Sequence, residues 1–159
     1  MHSAYRRTKE KKKPLTRHAD LRYRPYSIGG SADKDDNLMT RALSYWQLGH
    51  WDWLAGLELK TFWHHSDRST LALLKAAGHL QLNQLALAHK SISLARKWGA
   101  SKIRISRILI SGVYNTLGLA AAYGGHRQHA LRHFAQAIEL LPESGDSRIG
   151  SYVRAGRQM

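Results

Sequence analysis

From Leu38 onward, apolar residues recur at spacings of three and four, the period of one helix face. The first such stretch carries Leu38, Met39, Ala42, Leu43, Tyr45, Trp46 and Leu48 and stops at Gly49, a residue suited to the left-handed turn after a helix. A second helix is predicted to follow without interruption through Trp51, Leu54, Ala55, Leu57, Leu59, Phe62 and Trp63. After a break over 64–68, the pattern predicts a helix over 71–82, a turn at Asn83 and Gln84, and a partner helix over 85–98 with Ala88, Ile92 and Ala95 on one face. A third pair spans 111–142, with Tyr114, Leu117 and Gly118 on its first helix and a break at Gly124-Gly125. Its second helix carries Ala130, Phe134 and Ala137 and ends at Pro142, which lacks the amide proton that continuation needs. No proline lies between Asp36 and Pro142, so helices can run unbroken there. The expected fold class is all-α, three antiparallel helix pairs stacked side by side.

The three pairs align with one another. Their bends fall at Gly49, Asn83 and Gly125, and the close-packing positions at Leu54, Ala88 and Ala130; both columns advance by 34 residues and then by 42. About eight extra residues therefore precede the third pair, and the place for them is 98–110, where Ser101 can cap a new helix start. The first helix of that pair is then unusually long and carries Lys102, Arg104 and Arg107 at its beginning.

Tyr114, Leu117, Gly118, Ala130, Phe134, Ala137 and Pro142 together resemble one tetratricopeptide repeat, whose period is about 34 residues. The first two pairs are more degenerate, with Glu58, Lys75 and His79 at positions where large apolar or aromatic residues are usual. The resemblance implies a scaffold in which the first helices of successive pairs line a concave groove for a peptide or partner helix. Carried over by position, the groove would consist of Met39, Leu43, Trp46 and Gln47, then Leu73, Leu80 and Gln81, then Asn115, Leu119 and Tyr123. The lysine-and-asparagine clamp by which some family members hold a C-terminal carboxylate is missing, since Met39, Leu43 and Gly112 occupy its positions. The alternative is that the chain itself fills the groove, through a tight superhelix or through its N-terminal arm. The tryptophan-rich first pair and the run 108–121 also give a loose similarity to helical repeat segments of bacterial surface-polysaccharide biosynthesis proteins, which implies an accessory role there.

Composition adds the ends and the charge. Residues 1–37 mix the basic run Lys11-Lys12-Lys13 with Pro14, Pro25, Gly29-Gly30 and the acids Asp33, Asp35 and Asp36, and have few aliphatics, so a disordered basic arm is expected. The helical domain is expected over 38–142, and 143–159 as a tail or a short capping helix with Ile149, Tyr152 and Val153 at helical spacing. Without a cap, the face around Phe134 and Ile138 would seek a partner or a second copy of the chain. The 159-residue chain carries a formal net charge of +14, and residues 37–142 alone hold twelve Lys or Arg against four acids. Such a field attracts anions, whether nucleic acid or an anionic polysaccharide precursor, or simply keeps the chain soluble. Lys90, Arg96, Lys97, Lys102, Arg104 and Arg107, with Trp98 beside them, form the candidate polyanion patch.

There is no cysteine, which removes disulfides, thiolate metal sites and thiol nucleophiles and fits a cytoplasmic home. No run approaching the roughly 20 apolar residues of a membrane span is read in the sequence, nor a secretory leader. His126, His129 and His133 share a helical stripe, but no carboxylate completes a metal-ligand set, so no metal or other cofactor is expected. With no glycine-rich phosphate loop, no paired carboxylates beside histidines and no nucleophile motif, the chain is read as a non-catalytic protein-interaction scaffold. Its rival is a nucleic-acid or polyanion binder using the arm and the basic patch.

Overall fold

The computed structural model describes residues 31–141 and 147–158, all of whose regular structure is helical. Eight helices follow in order: α1 (Ser31–Leu48), α2 (Trp51–Ala55), α3 (Leu59–Phe62), α4 (Arg68–Gln81), α5 (Leu85–Lys97), α6 (Lys102–Tyr123), α7 (Arg127–Glu139) and α8 (Ser147–Gln158). The run Lys11-Lys12-Lys13 and the helix stop expected of Pro142 lie outside the described residues.

The three bends expected from the alignment are equivalent to the hydrogen bond. Gly49, Asn83 and Gly125 all take positive φ, at 76°, 57° and 76°. At each, the next residue's N–H reaches back five residues: His50 to Tyr45 O, Gln84 to His79 O and His126 to Ala121 O, each at 2.8 Å. This is the Schellman closure of a helix C-terminus, and it turns the chain into the following helix within two residues. Gly99 makes a fourth such closure with φ 91°, followed by Ala100 N–H to Ala95 O at 2.9 Å. Ser101 then caps α6, its Oγ accepting from Arg104 N–H at 3.2 Å, and α6 runs for 22 residues, the long helix that the extra residues predicted.

Two boundaries differ from the sequence reading. α1 is described from Ser31, ahead of the start expected at Leu38, so the helix takes in residues that the sequence reading assigned to the arm. The second helix of the first pair is not continuous: Gly56, Leu57 and Glu58 separate α2 from α3. The partner that satisfies the gap comes from α4, where the Lys75 ammonium donates to Ala55 O and, at 2.8 Å, to Leu57 O. Desolvation lowers the Lys75 pKa below the ordinary lysine value, the cost of that placement. We expect Lys75→Met, which keeps the stem and removes the donors, to lose about 1–2 kcal/mol in urea unfolding; an unchanged midpoint would show that water serves those carbonyls equally well.

Packing follows the hairpins only in part. α4 lies between α2 and α5, and α6 pairs along its length with α7. At the first of these contacts a side chain on Gly78 would meet Ala55 N at 2.6 Å, so the backbones of α4 and α2 touch. α6, however, rests against α4, α7 and α8, and α5 makes no comparable face with it. The main apolar core joins Trp46, Leu54, Phe62, Leu71, Leu74 and Ile108 to Ile138 and Leu141 at the far end, while Ala130, Phe134 and Ala155 form a smaller cluster under α8.

Candidate functional site

One end of the groove carried over from the repeat pattern is met by α8, whose Arg154 and Gln158 bond to Trp46, Gln47 and Asn115. α8 lies along α7 and touches α1 and α6 as well. Trp46, Leu73 and Asn115 are buried, and Met39, Leu43, Gln47, Leu80, Gln81 and Leu119 are half-buried; Tyr123 alone of the ten positions is well exposed, at 77%. α8 packs with Gly150, Ser151, Arg154 and Ala155 buried, and residues 1–30 of the N-terminal arm lie outside the described residues. A side chain on Gly150 would meet Gln47 Cγ and Ile138 Cδ1, each at 2.9 Å. Ile149, Tyr152 and Val153, whose spacing suggested the packing face, point out at 66%, 59% and 45% exposure. The face around Phe134 and Ile138 is covered by α8 and offers nothing to a second copy.

Arg154 is the centre of this arrangement. Its side chain is fully buried, and among the described residues no carboxylate forms a salt bridge with it. The guanidinium donates to Trp46 O, which also accepts from Gly49 N–H at 3.2 Å, and, through Nε at 3.1 Å, to Gln47 O, both at the C-terminal end of α1. It also lies 5.1 Å from the ring centroid of Trp46 and 5.0 Å from that of Trp51. Carbonyl oxygens and two indole faces therefore replace the counter-ion. Burial pushes the Arg154 pKa down to about 9, which leaves it a cation at neutral pH. A polar relay continues from it: Asn115 Nδ2 donates to Gln81 Oε1 at 2.7 Å and to Gln158 Oε1 at 3.1 Å, and Gln81 Nε2 reaches Gly112 O at 3.3 Å. Residues read as partner contacts thus bond to one another across α4, α6 and α8. Near the same end His50 is held below the ordinary imidazole pKa, first by burial and then by the charge of Arg157.

The open surface lies elsewhere, on α6. Ile103, Ile110, Val113 and Leu117 stand in one line at intervals of seven, three and four, exposed by 67%, 46%, 59% and 43%. Beside it runs a groove, lined by Leu80 and Gln81 of α4 and by Leu109, Gly112, Val113 and Leu117 of α6. It meets a second hollow at Leu109, bounded by Arg96, Ala100, Lys102 and Ile105 at the α5–α6 junction. By length and composition alone α6 is apolar enough to cross a membrane, although the sequence reading found no such span; in this fold it is the packed partner of α7. The signal for the α6 face was present in the spacing of Ile103, Ile110 and Leu117, but a helix apolar on most sides does not say which side stays open.

The basic patch is divided by the fold. Arg96 and Lys102 meet at the α5–α6 hollow, and Lys97 and Arg107 are exposed nearby. Lys90 instead overlooks a different pocket with Leu59, Phe62 and Leu87, and Arg104 turns back to donate to Thr70 Oγ1 at 2.9 Å. Trp98 is not a free stacking plane: its ring stands edge-on to Trp63 at 5.3 Å and to Phe62 at 6.1 Å, and the Arg68 guanidinium lies 5.2 Å from its centroid. Of the histidine stripe, His126 and His129 lie 5.9 Å apart and His133 stacks on Tyr114 at 6.2 Å. Among the described residues no group of three or more histidines or carboxylates is placed to hold a metal ion. No protein-family model, no curated protein and no solved structure matches the chain.

Proposed function

We propose that this chain is a non-catalytic scaffold of tetratricopeptide-like helical hairpins that holds a protein partner, with the binding surface on the outer face of α6. The repeat part of this reading is supported by the equivalent closures at Gly49, Asn83 and Gly125 and by the buried, aligned positions Leu54, Ala88 and Ala130. The binding part rests on one observation: four large aliphatic side chains exposed in a line on a helix that is itself anchored on both flanks. Aliphatic surface of that extent is costly to leave in water and is the usual mark of an interface. The polysaccharide-pathway resemblance has no structural feature behind it and adds nothing to this reading.

Site-specific photo-cross-linking in the native host tests it. A photoreactive residue at Val113 is expected to yield a discrete protein adduct, and the same residue at Ser93, exposed on α5, none. Absence of any adduct from α6 positions would overturn the proposal. The second reading, polyanion binding, is favoured by the exposed Arg96, Lys97, Lys102 and Arg107. It requires affinity for nucleic acid that falls steeply with salt and drops on Arg107→Glu, whereas a protein groove responds to apolar substitutions and only modestly to salt.

A further inference from the structure

We infer that the occupant of the α6 face is an acidic amphipathic helix supplied by another protein. The inference rests on the scaffold reading and names the chemistry of its partner. Ile103, Ile110 and Leu117 recur every seven residues, with Val113 between the last two; this is the a and d seam that one helix presents to another. The C-terminal half of the seam borders a groove, in which Val113 and Leu117 face Leu80 and Gln81 of α4. The seam's length from Ile103 to Leu117 accepts a helix of about four turns.

Charge decides among helices. At the start of the seam Lys102 and Arg107 flank Ile103 on opposite sides, where the e and g positions of a paired helix would lie, and Arg96 stands across the adjoining hollow. No carboxylate is described beside them. A second copy of this chain would bring another +14 to the contact, which opposes self-association. A helix with glutamate or aspartate flanking its apolar stripe, at the end that meets Lys102 and Arg107, satisfies both the seam and its charges. This face is distinct from the repeat groove, which α8 meets at one end.

The test uses the full chain and three designed helical probes of about fifteen residues. All share leucine and isoleucine at the seam positions; the flanking positions are glutamate in one, glutamine in the second and lysine in the third. Fluorescence anisotropy is expected to show the glutamate probe binding at least about tenfold tighter than the glutamine probe, and the lysine probe weakest. Val113→Asp should abolish binding of all three; its side chain is exposed, and an unchanged melting profile would show the fold intact. Lys102→Glu with Arg107→Glu should invert the order, dropping the glutamate probe below the glutamine probe and raising the lysine probe, while the glutamine probe stays where it was. Equal affinity of the glutamate and glutamine probes, with silent charge reversals, would overturn the acidic assignment; sensitivity to Val113→Asp would meanwhile leave the scaffold reading standing. The inference also fails if no probe binds, if phosphatidylcholine–phosphatidylserine vesicles take the face instead, or if light scattering finds a dimer that Val113→Asp dissolves.

Discussion

Arg154→Ala is expected to destabilise the protein by about 3 kcal/mol and to release α8 from the body. The guanidinium is the only group on α8 that reaches both Trp46 O and Gln47 O, and two charge-assisted bonds to carbonyls contribute about 1.5–3 kcal/mol each before the cost of burying the cation is subtracted. Desolvation is substantial, as the pKa displaced to about 9 indicates, and Trp51 Nε1 beside it is buried with no hydrogen-bond partner. The net is therefore smaller than the gross. Arg154→Lys is expected to recover little, because an ammonium is a compact, strongly hydrated charge and cannot span two carbonyls and two indole faces as the planar fork does. Arg154→Met should recover more than lysine does, since it fills the space without burying a charge. Amide hydrogen exchange confined to 147–158, with a red shift of the Trp46 and Trp51 fluorescence, would report release of the helix. A loss below about 1 kcal/mol for the alanine variant would show that contact and desolvation cancel and that α8 is held by Ala155 and Gly150 alone.

The same helix shows where sequence reading stops. A periodic apolar triple, Ile149, Tyr152 and Val153, predicts the inward face by the general tendency of helices to bury their apolar side, and here that tendency loses. What outweighs it is local to the receiving surface. The last carbonyls of α1 accept from Arg154, Gln47 and Ile138 leave room only for Gly150, and Gly49 is crowded by Gln158, whose Nε2 would lie 2.5 Å from an added side chain. None of these constraints is within reach of a pattern read along twelve residues. The break between α2 and α3 has the same origin, since Lys75, the donor to the freed carbonyls, is on another helix. By contrast, the bends and the cap at Ser101 depend on residues within five positions of one another, and these were legible: glycine or asparagine where φ must be positive, serine where a first turn needs an acceptor. Position within a repeat says which residues face inward, and not what fills the space they face. Half of the surface that stays open, Ile103 and Ile110, lies in the extra residues before the third pair, for which the repeat pattern makes no assignment.

Phe134→Ala is expected to cost about 3–5 kcal/mol, the loss typical of a buried aromatic replaced by a methyl group. The ring is fully buried between α6 and α8, against Ala130 and Ala155. Gly118 makes this packing possible: a Cβ there would lie 2.6 Å from Phe134 Cε1 and 2.7 Å from Cδ1, well inside contact distance. The aromatic ring itself seats on the glycine. Gly118→Ala should consequently cost about 1–3 kcal/mol by overpacking. The pair must couple: in a Phe134→Leu background, where the ring is gone, the alanine is expected to be nearly neutral, giving an interaction energy of about 1–2 kcal/mol in a double-mutant cycle measured by denaturant unfolding. Additive losses would mean that ring and glycine do not share a contact. A Phe134→Ala loss under about 1 kcal/mol would remove the ring from the core altogether, and with it the seating of α8 on the last hairpin.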